Sequence, residues 1–108
     1  MANTIRSGIS DLANVLNKVR NNTTVAQEQS DLQSVLDVLF AQWPKVIYAQ
    51  MDSTCDDYKA AIASLTDAQK SANAALKDIG KVASAIKMAG TAAKAIDKIL
   101  NAASKVVV

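Results

Sequence analysis

Histidine is missing from all 108 residues. Its absence removes Ser-His and Cys-His dyads, imidazole metal ligands and the commonest general base. A single cysteine, Cys55, allows no disulfide within the chain. It lies in Asp52-Ser53-Thr54-Cys55-Asp56-Asp57, and the acidic neighbours speak against a reactive nucleophile. There are three glycines and one proline, too few for the many turns of a strand-rich domain. No glycine-rich phosphate loop occurs, and the lysines near Gly80 lack the Gly-x-x-x-x-Gly-Lys frame. Aromatics are scarce: Phe40, Trp43, Tyr48 and Tyr58. No charge-free apolar run approaches the roughly 20 residues of a membrane span, and the N-terminal stretch has no apolar signal-peptide core. The expected location is cytoplasmic, or exported without a cleaved leader.

What the chain has in quantity is apolar residues, half of the total, many of them alanine. Alanine loses no side-chain entropy in a helix but buries little area, so the core should be thin and the helices close. Apolar positions recur at helical spacing. Ile5, Ile9, Leu12, Leu16 and Val19 step by four and three, which predicts a first helix over 4–20. Asn21-Asn22-Thr23-Thr24 interrupts it. Thr24-Val25-Ala26-Gln27 fits a capping box and opens a second helix over 24–52, with Leu32, Leu36, Leu39 and Trp43 as its seam. Val35, Val38 and Phe40 widen that seam. Pro44 either kinks this helix or ends it near Gln42; Val46, Ile47 and Met51 continue the apolar face, which favours the kink. Carboxylates at Asp56 and Asp57 suit a helix's first turn and open a third helix over 54–79, running through Tyr58, Ile62, Leu65, Ala72, Leu76 and Ile79.

The stretch 79–107 reads as one amphipathic ribbon. Ile79, Val82, Ile86, Ala89, Ala93, Ile96, Leu100, Ala103 and Val107 form its apolar row. Lys87, Lys94, Lys98 and Lys105 fall within about 40° of one another on the opposite side. The seam changes phase at Gly80, which predicts an overwinding, kink or turn there and a fourth helix over 81–107. Gly90 is a second place to stop, but the lysine row runs across it. The small residues Ala85, Ala89, Gly90, Ala92 and Ala93 suit close helix contact. The fold class is therefore all-α: a small antiparallel bundle of three or four helices, with long coiled-coil-like members. One domain is the expectation for this length.

Charge is uneven along the chain. Residues 1–69 hold five basic and eight acidic side chains, whereas 70–108 hold seven lysines against Asp78 and Asp97. Antiparallel helices of opposite charge can complement each other within a bundle, or the basic segment can seek an anionic surface. Asp52, Asp56 and Asp57 lack the alternating ligands and central glycine of a Ca²⁺ loop. Glu28, Asp31 and Asp37 lack the Glu-x-x-His pattern of di-iron bundles. A basic face of lysines alone, without arginine or interleaved aromatics, argues against nucleic-acid readout.

In length, helix content and a tryptophan near mid-chain, the sequence resembles the Trp-x-Gly family of small secreted partner proteins. The resemblance implies a helical hairpin with the tryptophan near its turn. Trp43-Pro44-Lys45 stands where that family has Trp-x-Gly, and no Tyr-x-x-x-Asp/Glu follows near the end.

These readings predict a non-enzymatic bundle, without cofactor or metal, that works by helix-mediated association with itself or with a partner protein. Leu36, Leu39, Trp43, Ile86, Ile96 and Leu100 are the expected packing residues. The alternative is a membrane-active protein whose basic C-terminal helix lies on anionic lipid or forms a pore, with Lys87, Lys94, Lys98 and Lys105 at the head groups.

Overall fold

A computed structural model describes residues 4–48 and 54–106, and the side-chain surroundings of 4–46 and 54–101. Four α-helices follow one another: α1 (Ile5–Asn22), α2 (Ala26–Tyr48), α3 (Asp56–Lys77) and α4 (Val82–Val106). No strand occurs among the described residues. The all-α bundle is the predicted class, and the described residues form four α-helices.

Each helix packs on two neighbours. Among the described residues α1 touches α2 and α3, and α4 touches α3 and α2; α1 and α4 meet only marginally, and α2 and α3 not at all. The helices therefore stand at the corners of a square, with α2 diagonal to α3. Residues at the start of α1 meet the start of α3, where the Ile5 amide donates to the Tyr58 hydroxyl at 3.4 Å. α1 and α3 thus run parallel, and each is antiparallel to the helix that follows it. Two helical hairpins, α1–α2 and α3–α4, lie side by side in a body of 46 × 24 × 18 Å. A single helical hairpin, as the Trp-x-Gly resemblance implied, is not what forms, and Trp43 lies inside α2 rather than beside a turn.

The first helix follows its periodicity closely. Ile5, Ile9, Leu12, Leu16 and Val19 are all buried. Thr4 caps it: its hydroxyl accepts from the Ser7 amide at 3.0 Å, and the Ser7 hydroxyl accepts from the Thr4 amide at 3.2 Å. Two orphan donors of the first turn are satisfied reciprocally.

The joint to α2 is built differently from the expectation. Thr24 is exposed, and α2 begins at Ala26, so Gln27 falls too early to complete a box with it. Thr23 is the organising residue and is 2% exposed. Its hydroxyl donates to Glu28 Oε1 at 2.7 Å and accepts from the Val25 amide at 3.4 Å, while Gln29 Nε2 donates to its carbonyl at 2.7 Å. Burying Thr23 places its polar atoms where only the chain can satisfy them.

α2 runs through Pro44, which is exposed. The helix does not end at Gln42. Leu32, Leu36, Leu39 and Val46 are buried as the seam requires. Val38 and Phe40, read as widening it, are instead 43% and 57% exposed. A helix touching two neighbours can hide only part of its circumference, and both residues fall outside that arc. Ile47 and Met51, offered as continuing the face, lie outside the residues with described side chains.

The third seam also differs from the sequence reading. Ala61, Leu65, Ala68, Ala72 and Ala75, at steps of four and three, form the buried line of α3. Tyr58, Ile62 and Leu76 flank it and are half-buried. Small residues at the centre let α3 approach α4 closely, and this is the most extensive helix pair in the protein.

At Gly80 the phase break is a turn. Asp78 accepts from the Gly80 amide at 3.0 Å through Oδ1, a short 3₁₀ turn spans Ile79–Lys81, and the chain reverses into α4. The ribbon therefore starts at Val82. Ile79 lies in the turn and is 55% exposed, outside both seams. α4 is continuous across Gly90, and the Thr91 hydroxyl donates back to the Lys87 carbonyl at 3.1 Å instead of capping a new helix. Val82, Ala85, Ala89, Ala92, Ala93, Ile96 and Ile99 are its buried face. Gly90 makes no close helix contact: a Cβ there would meet nothing within 4 Å. The glycine that does is Gly8, against Leu65 of α3.

Candidate interaction surface

The expected packing residues divide into two groups. Leu36, Leu39 and Ile96 are at most 1% exposed and belong to the interior. Trp43, Ile86 and Leu100 are partly buried and pack against that interior from its margin. Only the second group can take part in contact with another molecule, and among them Trp43 has a distinctive setting.

Trp43 lies beside a cleft of about 190 Å³ between α1 and α2. Ile9, Ser10, Ala13 and Asn14 line it from α1, and Phe40 and Trp43 from α2. The local reason is helical register. Residues 9 and 13 and residues 40 and 43 are one turn apart on their helices, so each pair stacks along the groove between antiparallel neighbours. Ala13 supplies almost no side chain to fill that groove, and Phe40 turns outward at its rim. Two of the chain's four aromatics thus meet at one recess. An exposed ring next to a partly buried indole is the composition of interface anchors. Sequence reasoning placed Phe40 in the core; that α1 presents Ser10, Ala13 and Asn14 to it could not be read without knowing which helices pair.

The upper part of the same α1–α2 face is polar and internally tied. The Arg20 guanidinium donates to Gln33 Oε1 and, at 2.7 Å, to Asn17 Oδ1. Gln33 Nε2 donates to Asp37 Oδ1 at 2.8 Å. Its charged groups are therefore engaged within the face.

Lys87, Lys94 and Lys98 stand exposed on the outer side of α4; Lys105 lies outside the residues with described side chains. The row is not uniform. Lys98 Nζ is 3.3 Å from Asp57 Oδ1 in the first turn of α3, with side-chain exposures of 72% and 41%. This links the basic helix to its acidic neighbour at one point. Lys87 and Lys94 lie further along, toward the Gly80 turn.

One polar group is buried between α2 and α4. Gln42 is 3% exposed, and its Nε2 donates to the Ala93 carbonyl at 3.0 Å and to Asp97 Oδ1 at 2.7 Å. Its Oε1 has no partner. The amide fixes how α2 and α4 slide against each other, as a lone buried polar group sets register in helix pairs.

A second recess of about 380 Å³ opens at the end of the bundle where α1 finishes, between Val19, Thr23, Leu76, Ile79 and Val82. Cys55 caps α3 from a half-buried position without a side-chain cap bond. Among the described residues, no group of three or more His, Cys, Asp or Glu side chains could hold a metal ion. No described helix is long and apolar enough to cross a membrane. In comparisons with known proteins, no family model, no curated protein and no solved structure matches this chain.

Proposed function

We propose that this protein is a non-enzymatic association module that binds another protein surface through its α1–α2 face. The observation that carries this reading is the pairing of exposed Phe40 with Trp43 over an open recess that Ser10 and Asn14 edge with polar groups. A large ring left in water on a small bundle costs solubility, and interfaces use such rings as anchors. Supporting it, the side chains gathered at the recess, Ile9, Ser10, Ala13, Asn14, Phe40 and Trp43, include no acid, base or thiol and suit contact rather than proton transfer.

The test is site-specific photo-crosslinking in the cells that make the protein. A benzophenone amino acid at position 40 should give a discrete protein adduct, and the same probe at position 94 should not. Absence of any adduct from position 40, with the probe-bearing protein folded, would overturn the reading.

A second reading follows from the exposed Lys87 and Lys94: contact of α4 with anionic lipid. It requires α4 to leave the bundle, because its apolar face is the buried one. Co-sedimentation with vesicles of anionic phospholipid at low salt tests it; protein remaining in the supernatant there would end it.

A further inference from the structure

Phe40 stands at the rim of a recess it does not fill. We infer that the molecule received by the α1–α2 face is a second copy of this chain, packed about a two-fold axis so that Phe40 of each copy enters the other's cleft. The inference rests on the association reading above and names its partner.

The first support is shape. A two-fold interface uses one patch twice, so a patch that pairs with itself must carry both a projection and a recess. The α1–α2 face carries both: Phe40, 57% exposed, and the cleft of about 190 Å³ beside it. A cavity of about 150 Å³ is enough to take up benzene, so the recess has room for one phenyl ring.

Charge gives the second support. The α1–α2 hairpin, residues 4–48, carries four basic and four acidic side chains. The α3–α4 hairpin, residues 54–106, carries eight basic and five acidic. Two copies meeting through α1 and α2 approach without net repulsion and keep their lysine-rich helices apart; meeting through α4 they would bring like charge together. Arg20 and Asp37 at the edge of the face are already held by Asn17 and Gln33, which leaves Ser10 and Asn14 as the polar side chains of the recess that the second copy must accommodate.

The third is area. Two adjacent helices with 18 residues of shared length present a patch of about 27 by 20 Å. Pairing two such patches buries about 1,000 Å² in total, the lower end of specific interfaces, so the dimer should be weak and concentration-dependent.

Sedimentation velocity of the full chain from about 1 μM to about 1 mM, the range of weak dimers, tests the inference. The mass should rise from one copy toward two. Phe40→Ala should weaken self-association about tenfold or more, and Ser10→Arg, which places a charged chain in the recess, should do the same. Lys94→Glu on the far side should leave the dimer intact. Far-UV circular dichroism checks that each variant folds; should Ser10→Arg disturb the helix, Phe40→Ala, changed at a largely exposed position, still decides. A chain that stays monomeric to about 1 mM, a folded Phe40→Ala that dimerises like the parent, or a dimer lost through Lys94→Glu would each overturn it. A monomeric chain that still gives adducts from position 40 to a different protein would remove the second copy but leave the association reading; loss of both signals would remove both.

Discussion

Gly8 of α1 lies so close to Leu65 of α3 that a Cβ built on the glycine would sit 2.8 Å from Leu65 Cδ1 and 3.4 Å from its Cβ. Leu65 is 2% exposed and has little room to move away. Gly8 therefore sets the distance between two helices that run parallel. Gly90 is the opposite case, with open space where its side chain would be.

Gly8→Val should cost about 1–3 kcal/mol, as overpacking does. Gly90→Ala should add about 0.5–1 kcal/mol by helix propensity alone. Urea denaturation should separate the two glycines by the sign of their midpoint shifts. Equal effects would mean that Gly8 is not a packing residue.

Two adjacent threonines should behave differently. Thr23→Val removes a buried hydroxyl that holds Glu28 and the Val25 amide, at a cost of about 1–2 kcal/mol. Thr24→Ala, at an exposed position, should stay within about 0.5 kcal/mol of the parent. Thermal unfolding of the pair reads the difference directly, and a larger effect from Thr24 would restore it as the cap.

Gln42 and Asp97 should prove energetically coupled. Asp97→Ala strips one acceptor from a buried amide whose Oε1 is already unpartnered, and should cost about 1–2 kcal/mol. Gln42→Met removes the whole amide and leaves Asp97 to water, so it should cost less. In the Gln42→Met background Asp97→Ala should be nearly silent. A double-mutant cycle with no coupling would show that the contact does not operate in solution.

The ion pair between Lys98 and Asp57 should matter little. Both side chains are solvated, and exposed pairs contribute about 0.2–1 kcal/mol. Lys98→Ala should fall at the low end. Asp57→Ala should cost somewhat more, because Asp57 also lies in the first turn of α3, where a carboxylate favours the macrodipole. Stability curves at low and high salt should converge for both variants.

How far the fold could be read from the chain depended on which side chains carry the pattern. In α1 the buried line is made of isoleucine, leucine and valine, and spacing alone located it. In α3 the buried line is mostly alanine, while Tyr58, Ile62 and Leu76 beside it are larger and draw the pattern to the wrong stripe. Alanine is found in seams and on surfaces alike, so its position says little until the neighbour is known. The Asp78-Ile79-Gly80 turn was legible as a break in phase, though not as a reversal. The cleft was not legible, because it belongs to no single helix: it exists where Ala13 of α1 comes opposite Phe40 of α2.

The square of helices also bears on how the chain reaches its native state. α2 and α3 follow each other in sequence but make no contact among the described residues, while each hairpin joins helices that are neighbours in both sequence and space. Most contacts can thus form over short loops, at small entropic cost, within either half alone. Closing the bundle is then one late event, the meeting of α1 with α3 and of α2 with α4. The α3–α4 half, with its extensive alanine seam, is the natural first half to assemble, and Gly8 meeting Leu65 belongs to the last step. In kinetic terms, a change at Gly8 should be felt in the rate of unfolding, whereas a change at Ala72 should slow refolding.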